Sequence, residues 1–189
     1  MIDLNHLAER YKNHVALFKD YDSIKILDFA EPGTSMKSIR FIFNEDNYEL
    51  IISGDLGHLI ARNDSNMVYS KFRSDFTNSP GYFAGKVKYC EYPIYEYNKE
   101  AAEADLKYYL IQKGYAEEDE PKLFDTIDNT LCDFDTDPGI TDRGYNVLND
   151  IDNCAFEYAT KIGRVSSGQL EFYLALFKLA QSKLPDAKP

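Results

Sequence analysis

The sequence predicts an α+β protein, with an N-terminal helix on a small antiparallel sheet and a helical C-terminal half. Apolar and polar residues alternate over most of residues 23–62, the two-residue period of half-buried strands. From Tyr69 onward that alternation stops. Beyond residue 97 apolar positions recur at three- and four-residue steps, the period of helices with one buried face.

Leu4, Leu7, Ala8, Tyr11, Val15 and Phe18 keep helical spacing, so residues 1–20 are predicted as one amphipathic helix lying on the sheet. Residues 23–29 (SIKILDF) form a strand, 31–34 (EPGT) a turn, and 38–44 (SIRFIFN) a second strand with Ile39, Phe41 and Phe43 opposed to Arg40 and Asn44. Asp46 and Asn47 turn the chain into a strand over 48–52, and a fourth strand over 56–62 follows Ser53, Gly54 and Asp55. Asn98 caps a helix reaching about residue 113, with Leu106, Tyr109 and Leu110 inward and Gly114 as its stop. Pro121 opens the next, whose buried stripe is Leu123, Phe124, Ile127 and Leu131. Thr141 caps a third, with Tyr145, Leu148, Ile151, Ala155 and Tyr158 inward and Gly163 at its end. Ser166 and Gln169 stand at capping-box spacing before a last helix to about residue 183. The expected division is a sheet region over 1–96 and an acidic helical region over 97–189, packed as one domain or two subdomains.

At 189 residues, 44% hydrophobic and 28% charged, the chain has the composition of a globular protein, with 15 Tyr, 12 Phe and no Trp. The aromatics are expected mainly in the core. No run approaches the roughly twenty apolar residues that span a bilayer, and residues 1–20 lack a signal-peptide core. A net charge of −11 disfavours phosphate backbones and anionic membranes, which argues against direct nucleic-acid or membrane binding. Cys90, Cys132 and Cys154 are odd in number and far apart, as suits reduced thiols in a cytosol.

No catalytic, cofactor-binding or metal-binding set stands out. Asp133, Asp135 and Asp137 match the first oxygen ligands of a calcium loop, but Pro138 and Gly144 stand where the turn glycine and the closing glutamate belong. An acidic interhelical loop is the expectation. Ser53-Gly54-Asp55-Leu56-Gly57 lacks the lysine and the following helix of a phosphate loop and is expected as a tight turn. His6 and His14, eight residues apart on one predicted helix, are too distant to share an ion, and with His58 they are expected at the surface or its rim.

The charge is the informative feature. Residues 101–160 hold fifteen acids against Lys107, Lys113, Lys122 and Arg143, whereas the other 129 residues carry seventeen of each sign. A solvated helix face ordinarily interleaves bases with acids, and here they are missing. Carboxylates on successive helical turns stand about 5–6 Å apart, a spacing on the scale of phosphates along a strand. The candidate partner-binding residues are Glu117, Glu118, Asp119, Glu120, Asp125, Asp128, Asp133, Asp135, Asp137, Asp142, Asp150, Asp152 and Glu157, with Tyr145 and Tyr158 as anchors if exposed.

Residues 37–62 (KSIRFIFNEDNYELIISGDLGHLIAR), with the turn Gly54-Asp55-Leu56-Gly57 and the Tyr82-Phe83 pair after Gly81, resemble small accessory proteins of bacteriophages and other mobile elements. That resemblance implies a context, inhibition of host defence as by anti-CRISPR or anti-restriction proteins, and implies no catalytic residues. Combined with the acidic segment, the expected function is that of an inhibitor in the bacterial cytosol. It would bind a basic, nucleic-acid-handling defence protein (a CRISPR effector or restriction nuclease) through a nucleic-acid-mimicking surface. The alternatives are an immunity or antitoxin protein neutralising a basic toxin, and a small-ligand or metal-binding enzyme.

Overall fold

The computed structural model describes residues 2–115, 120–135 and 139–185, apart from the side chain of Glu120. It divides into two compact units, Met1–Ile94 with Gly168–Pro189, and Tyr95–Ser167. Sequence periodicity groups the last helix with residues 97–189. In the structure that helix belongs to the sheet unit, because its aromatic side chains complete the sheet's core.

The first unit is built on a six-stranded antiparallel meander: β1 (Val15–Tyr21), β2 (Ile24–Ala30), β3 (Ile39–Asn44), β4 (Glu49–Ser53), β5 (Leu59–Arg62) and β6 (Val87–Cys90). The middle four follow the predicted alternation, whereas β1 and β6 do not appear in the sequence prediction. The helix predicted over 1–20 stops early, as α1 (Leu4–Arg10), capped by the Asp3 carboxylate that accepts from the amides of Asn5 and His6. Residues 15–21 satisfy both a helical and an alternating period, and a hairpin decides between them. Tyr21 pairs with Ile24 across a two-residue turn in which Asp22 takes a φ of +55°, which Asp tolerates better than most residues.

The two-residue period places Leu27, Phe41, Ile52 and Leu59 in register on one face, all buried. The opposite face carries a second in-register row, Ile26, Ile42, Ile51 and Ile60, each half-buried. The core face is closed by α2 (Tyr69–Asp75), α3 (Pro80–Ala84) and α8 (Gln169–Ser182). Phe177 of α8 stands edge-on to Phe41 at 5.2 Å and to Phe72 at 4.9 Å between ring centroids. Past the end of α8, the Lys183 ammonium donates to the carbonyls of Tyr11, Lys12 and His14 at 2.7, 2.9 and 3.0 Å. A cation thereby satisfies the carbonyls that follow the short α1. His14, expected at the surface, is 3% exposed between Tyr11 and Phe29, and burial pushes its pKa down.

The glycine turn between β4 and β5 is structural. Gly57 takes a φ of +108°, and a Cβ there would lie 2.5 Å from the Tyr92 ring and 2.6 Å from the Tyr173 hydroxyl. That hydroxyl donates to the Leu56 carbonyl at 3.0 Å, and the Asp55 carboxylate accepts from the Lys37 amide at 2.7 Å. Asp55 is thus used in holding the turn.

The second unit is inserted in the chain between β6 and α8. Its ends pair antiparallel as β7 (Tyr95–Tyr97) and β8 (Arg164–Ser166), with the Arg164 guanidinium 4.6 Å from the Tyr95 ring centroid and 5.9 Å from that of Tyr97. Three-residue strands are too short for periodicity to reveal. Between them lie α4 (Lys99–Gln112), α5 (Glu120–Leu131), α6 (Asp142–Ile151) and α7 (Phe156–Ala159). α4 forms as predicted, with the Asn98 side chain accepting from the Ala101 amide at 2.8 Å and Leu106, Tyr109 and Leu110 buried. α6 approaches α5 at Gly144, where a Cβ would clash with the Thr130 carbonyl oxygen. The predicted third helix does not run through to Tyr158. It breaks at Asp152, whose backbone is extended (φ −150°, ψ 114°), and resumes only as the single turn of α7.

Truncating Phe177, which several rings contact, is expected to destabilise the sheet unit by about 3–5 kcal/mol. Urea unfolding of Phe177→Ala should show an earlier midpoint at unchanged slope; a loss below about 0.5 kcal/mol would contradict the role given to α8.

Candidate functional site

The division into units sharpens the charge asymmetry. Tyr95–Ser167 carries seventeen acids against seven bases, while the remainder carries fifteen against fourteen. The acidic character therefore belongs to the inserted unit. Of the acids singled out by sequence, Asp125 and Asp128 are exposed on α5, Asp142 on the first turn of α6, Asp150 on its last turn, and Glu157 on α7. None of these five makes an ion pair with a described residue. Asp142 gains from the positive end of its helix, whereas Asp150 stands at the negative end, where a carboxylate opposes helix formation. Helix stability accordingly gives no reason for Asp150.

The remaining candidates are placed differently. Asp133 is 54% exposed and lies 3.6 Å from Arg143. Asp135 exchanges both backbone hydrogen bonds with Gly139, in an isolated bridge that closes the loop on itself. Glu120 opens α5. Glu117, Glu118, Asp119 and Asp137 lie outside the described residues, as does part of the calcium-like string. Among the described residues, no three His, Cys, Asp or Glu side chains converge as metal ligands.

Asp152 is a correction to the predicted surface. Its side chain is 19% exposed and accepts from the Lys113 ammonium at 2.5 Å, the Tyr109 hydroxyl at 2.9 Å and the Cys154 amide at 3.0 Å. The hydrogen bond from Lys113, then those from the Cys154 amide and Tyr109, hold its pKa down at about 2. Burial, with the Asp152 carboxylate beside it, pushes the Tyr109 phenol up to about 12. This acid closes the break after α6 and ties it to α4. Tyr158 is likewise engaged inside the unit, stacked on Tyr109 at 4.4 Å with its hydroxyl donating to the Asp105 carbonyl at 3.1 Å. Tyr145 is half-buried and packs edge-on to Phe156.

Beside the exposed acids lies a groove of about 580 Å³ between α4 and α5, within the range of ligand sites. Glu100, Glu103, Ala104 and Lys107 form one wall at steps of three and four along α4. Leu123, Ile127 and Leu131 of α5 give the other side an apolar floor, and Asp128 stands at its rim. Sequence periodicity puts Phe124 in the buried stripe. It is instead 67% exposed at the groove, one residue further round α5 than the Leu123–Ile127–Leu131 line. The α4 wall escaped attention in the sequence because it precedes the acid run at 117. The available signal was the pair Glu100 and Glu103, one turn apart on α4 at the edge of its buried Leu106–Leu110 stripe.

No protein-family model matches the chain, and no curated protein and no solved structure matches it.

Because the folded-state pKa of Asp152 lies below the ordinary 3.8, its stabilisation is complete above about pH 4 and is lost as pH falls toward 2. Asp152→Asn should lower Tm at neutral pH, with the gap to the parent protein closing between pH 4 and 2, whereas Asp150→Asn should leave Tm nearly unchanged. A gap that stays constant across that window would contradict the role assigned to the carboxylate.

Proposed function

We propose that the protein is an inhibitor that uses its acidic inserted unit to occupy the cationic site of a nucleic-acid-handling protein. In the context implied by the resemblance of residues 37–62 to such proteins, it acts as a bacteriophage or mobile-element accessory protein against a host defence nuclease or CRISPR effector. The observation that carries the proposal is the segregation of charge, seventeen acids against seven bases in one unit beside a nearly balanced sheet unit. Unpaired carboxylates repel one another and weaken the fold that holds them. Asp125, Asp128, Asp142, Asp150 and Glu157 stay exposed and without ion pairs among the described residues, so they retain their full charge for an incoming cationic surface.

The field of such a unit steers basic partners and accelerates their encounter, an effect that salt suppresses. The acids form the contact and the sheet unit carries them. No proton transfer or bond making is required of any residue, so inhibition is by occupancy.

The test uses the full chain as bait in lysates of candidate bacterial hosts. A nuclease or CRISPR effector should be retained at low salt, released at high salt, and blocked in its cleavage assay. Reversal of Asp125, Asp128 and Asp142 to Lys should weaken retention by about tenfold or more at unchanged Tm. Retention that ignores both salt and charge reversal would overturn the proposal.

A further inference from the structure

We infer that the groove between α4 and α5 receives the apolar face of a cationic amphipathic helix from the partner. This rests on the proposed binding of basic proteins and adds where the contact is anchored. A surface that only imitates phosphates needs no apolar floor, yet here Leu123 and Ile127 line a depression flanked by Glu100, Glu103 and Asp128. Phe124, 67% exposed at its side, offers a large ring that no described neighbour covers.

The lining fixes the kind of occupant. On α4 it runs over eight residues and on α5 over nine, a rise of about 10–12 Å along each wall, two turns of an incoming helix. Both walls are helices, whose backbone groups are satisfied internally, so the groove has no strand edge with which an extended peptide can pair. A third helix instead packs into the channel between two others, inserting apolar side chains at steps of three and four. Lys and Arg on the flanks of that helix then reach Glu100 and Glu103 on one side and Asp128 on the other. Among the described lining residues Lys107 is the one cation. A second copy of this chain is disfavoured as occupant, because its own groove would bring the same carboxylates into opposition.

The experiment titrates the full-length protein with two fluorescent peptides of equal length and charge. One has lysine and leucine at helical spacing; in the other serine replaces leucine. The lysine–leucine peptide should bind at least about tenfold tighter than the lysine–serine peptide. Ala104→Trp, which fills the groove from an exposed position, and Phe124→Ala should each erase that margin while leaving Tm and lysine–serine binding as they were. Equal, salt-sensitive binding of both peptides, or a margin that survives both substitutions, would overturn the groove while leaving the acidic surface in place. Failure of both peptides to bind at low salt would overturn the groove and the proposed function together.

Discussion

A unit with seventeen acids and seven bases folds against its own charge, and the structure of Tyr95–Ser167 is arranged around that constraint. Its two ends are joined by the β7–β8 pair, with a guanidinium over two tyrosine rings. Its apolar core runs from Ala102 and Leu106 through Leu123 and Leu131 to Leu148 and Ile162. One acid, Asp152, is withdrawn from the surface and neutralised by Lys113, so that a carboxylate becomes a tie between α4 and the break after α6. With these ties in place, Asp125, Asp128, Asp142, Asp150 and Glu157 stay exposed and without ion pairs among the described residues at a tolerable cost.

The sheet unit meets a different requirement. Its chain is interrupted by the insertion, and its core is completed only when α8 returns after β8. Phe177, Tyr173 and Lys183 make that return specific: a ring among the sheet phenylalanines, a hydroxyl on the glycine turn, and an ammonium on the carbonyls after α1. The turn at residues 54–57 is therefore explained by packing. Asp55 holds the Lys37 amide, and Gly57 leaves room for Tyr92 and Tyr173. Neither feature asks for a ligand.

Where cap, period and stop agree locally, the sequence was legible, as in α4 with Asn98, its Leu106–Tyr109–Leu110 face and Gly114. The middle strands were legible for the same reason, since their alternation faces a single core. Residues 15–21 were not, because their apolar positions fit two periods and the decision lies in pairing with β2. The interruption after α6 depends on Lys113 and Tyr109, some forty residues away in sequence, and no local pattern announces it. Phe124 shows the limit of a helical stripe: a step of one residue separates the floor of a groove from its exposed rim. The acidity of the candidate surface was plain from composition, but its division into exposed acids and one internal tie needed the fold.

The central claim is that partners meet the inserted acidic unit. The sheet unit offers a rival surface, the in-register row of Ile26, Ile42, Ile51 and Ile60 on its outer face. Backbone amide shifts of the isotope-labelled full chain, followed while its retained basic partner is added, separate the two directly. The account predicts changes concentrated in α4, α5 and α6. Changes confined to β2–β5, with the helices of the inserted unit unperturbed, would contradict it.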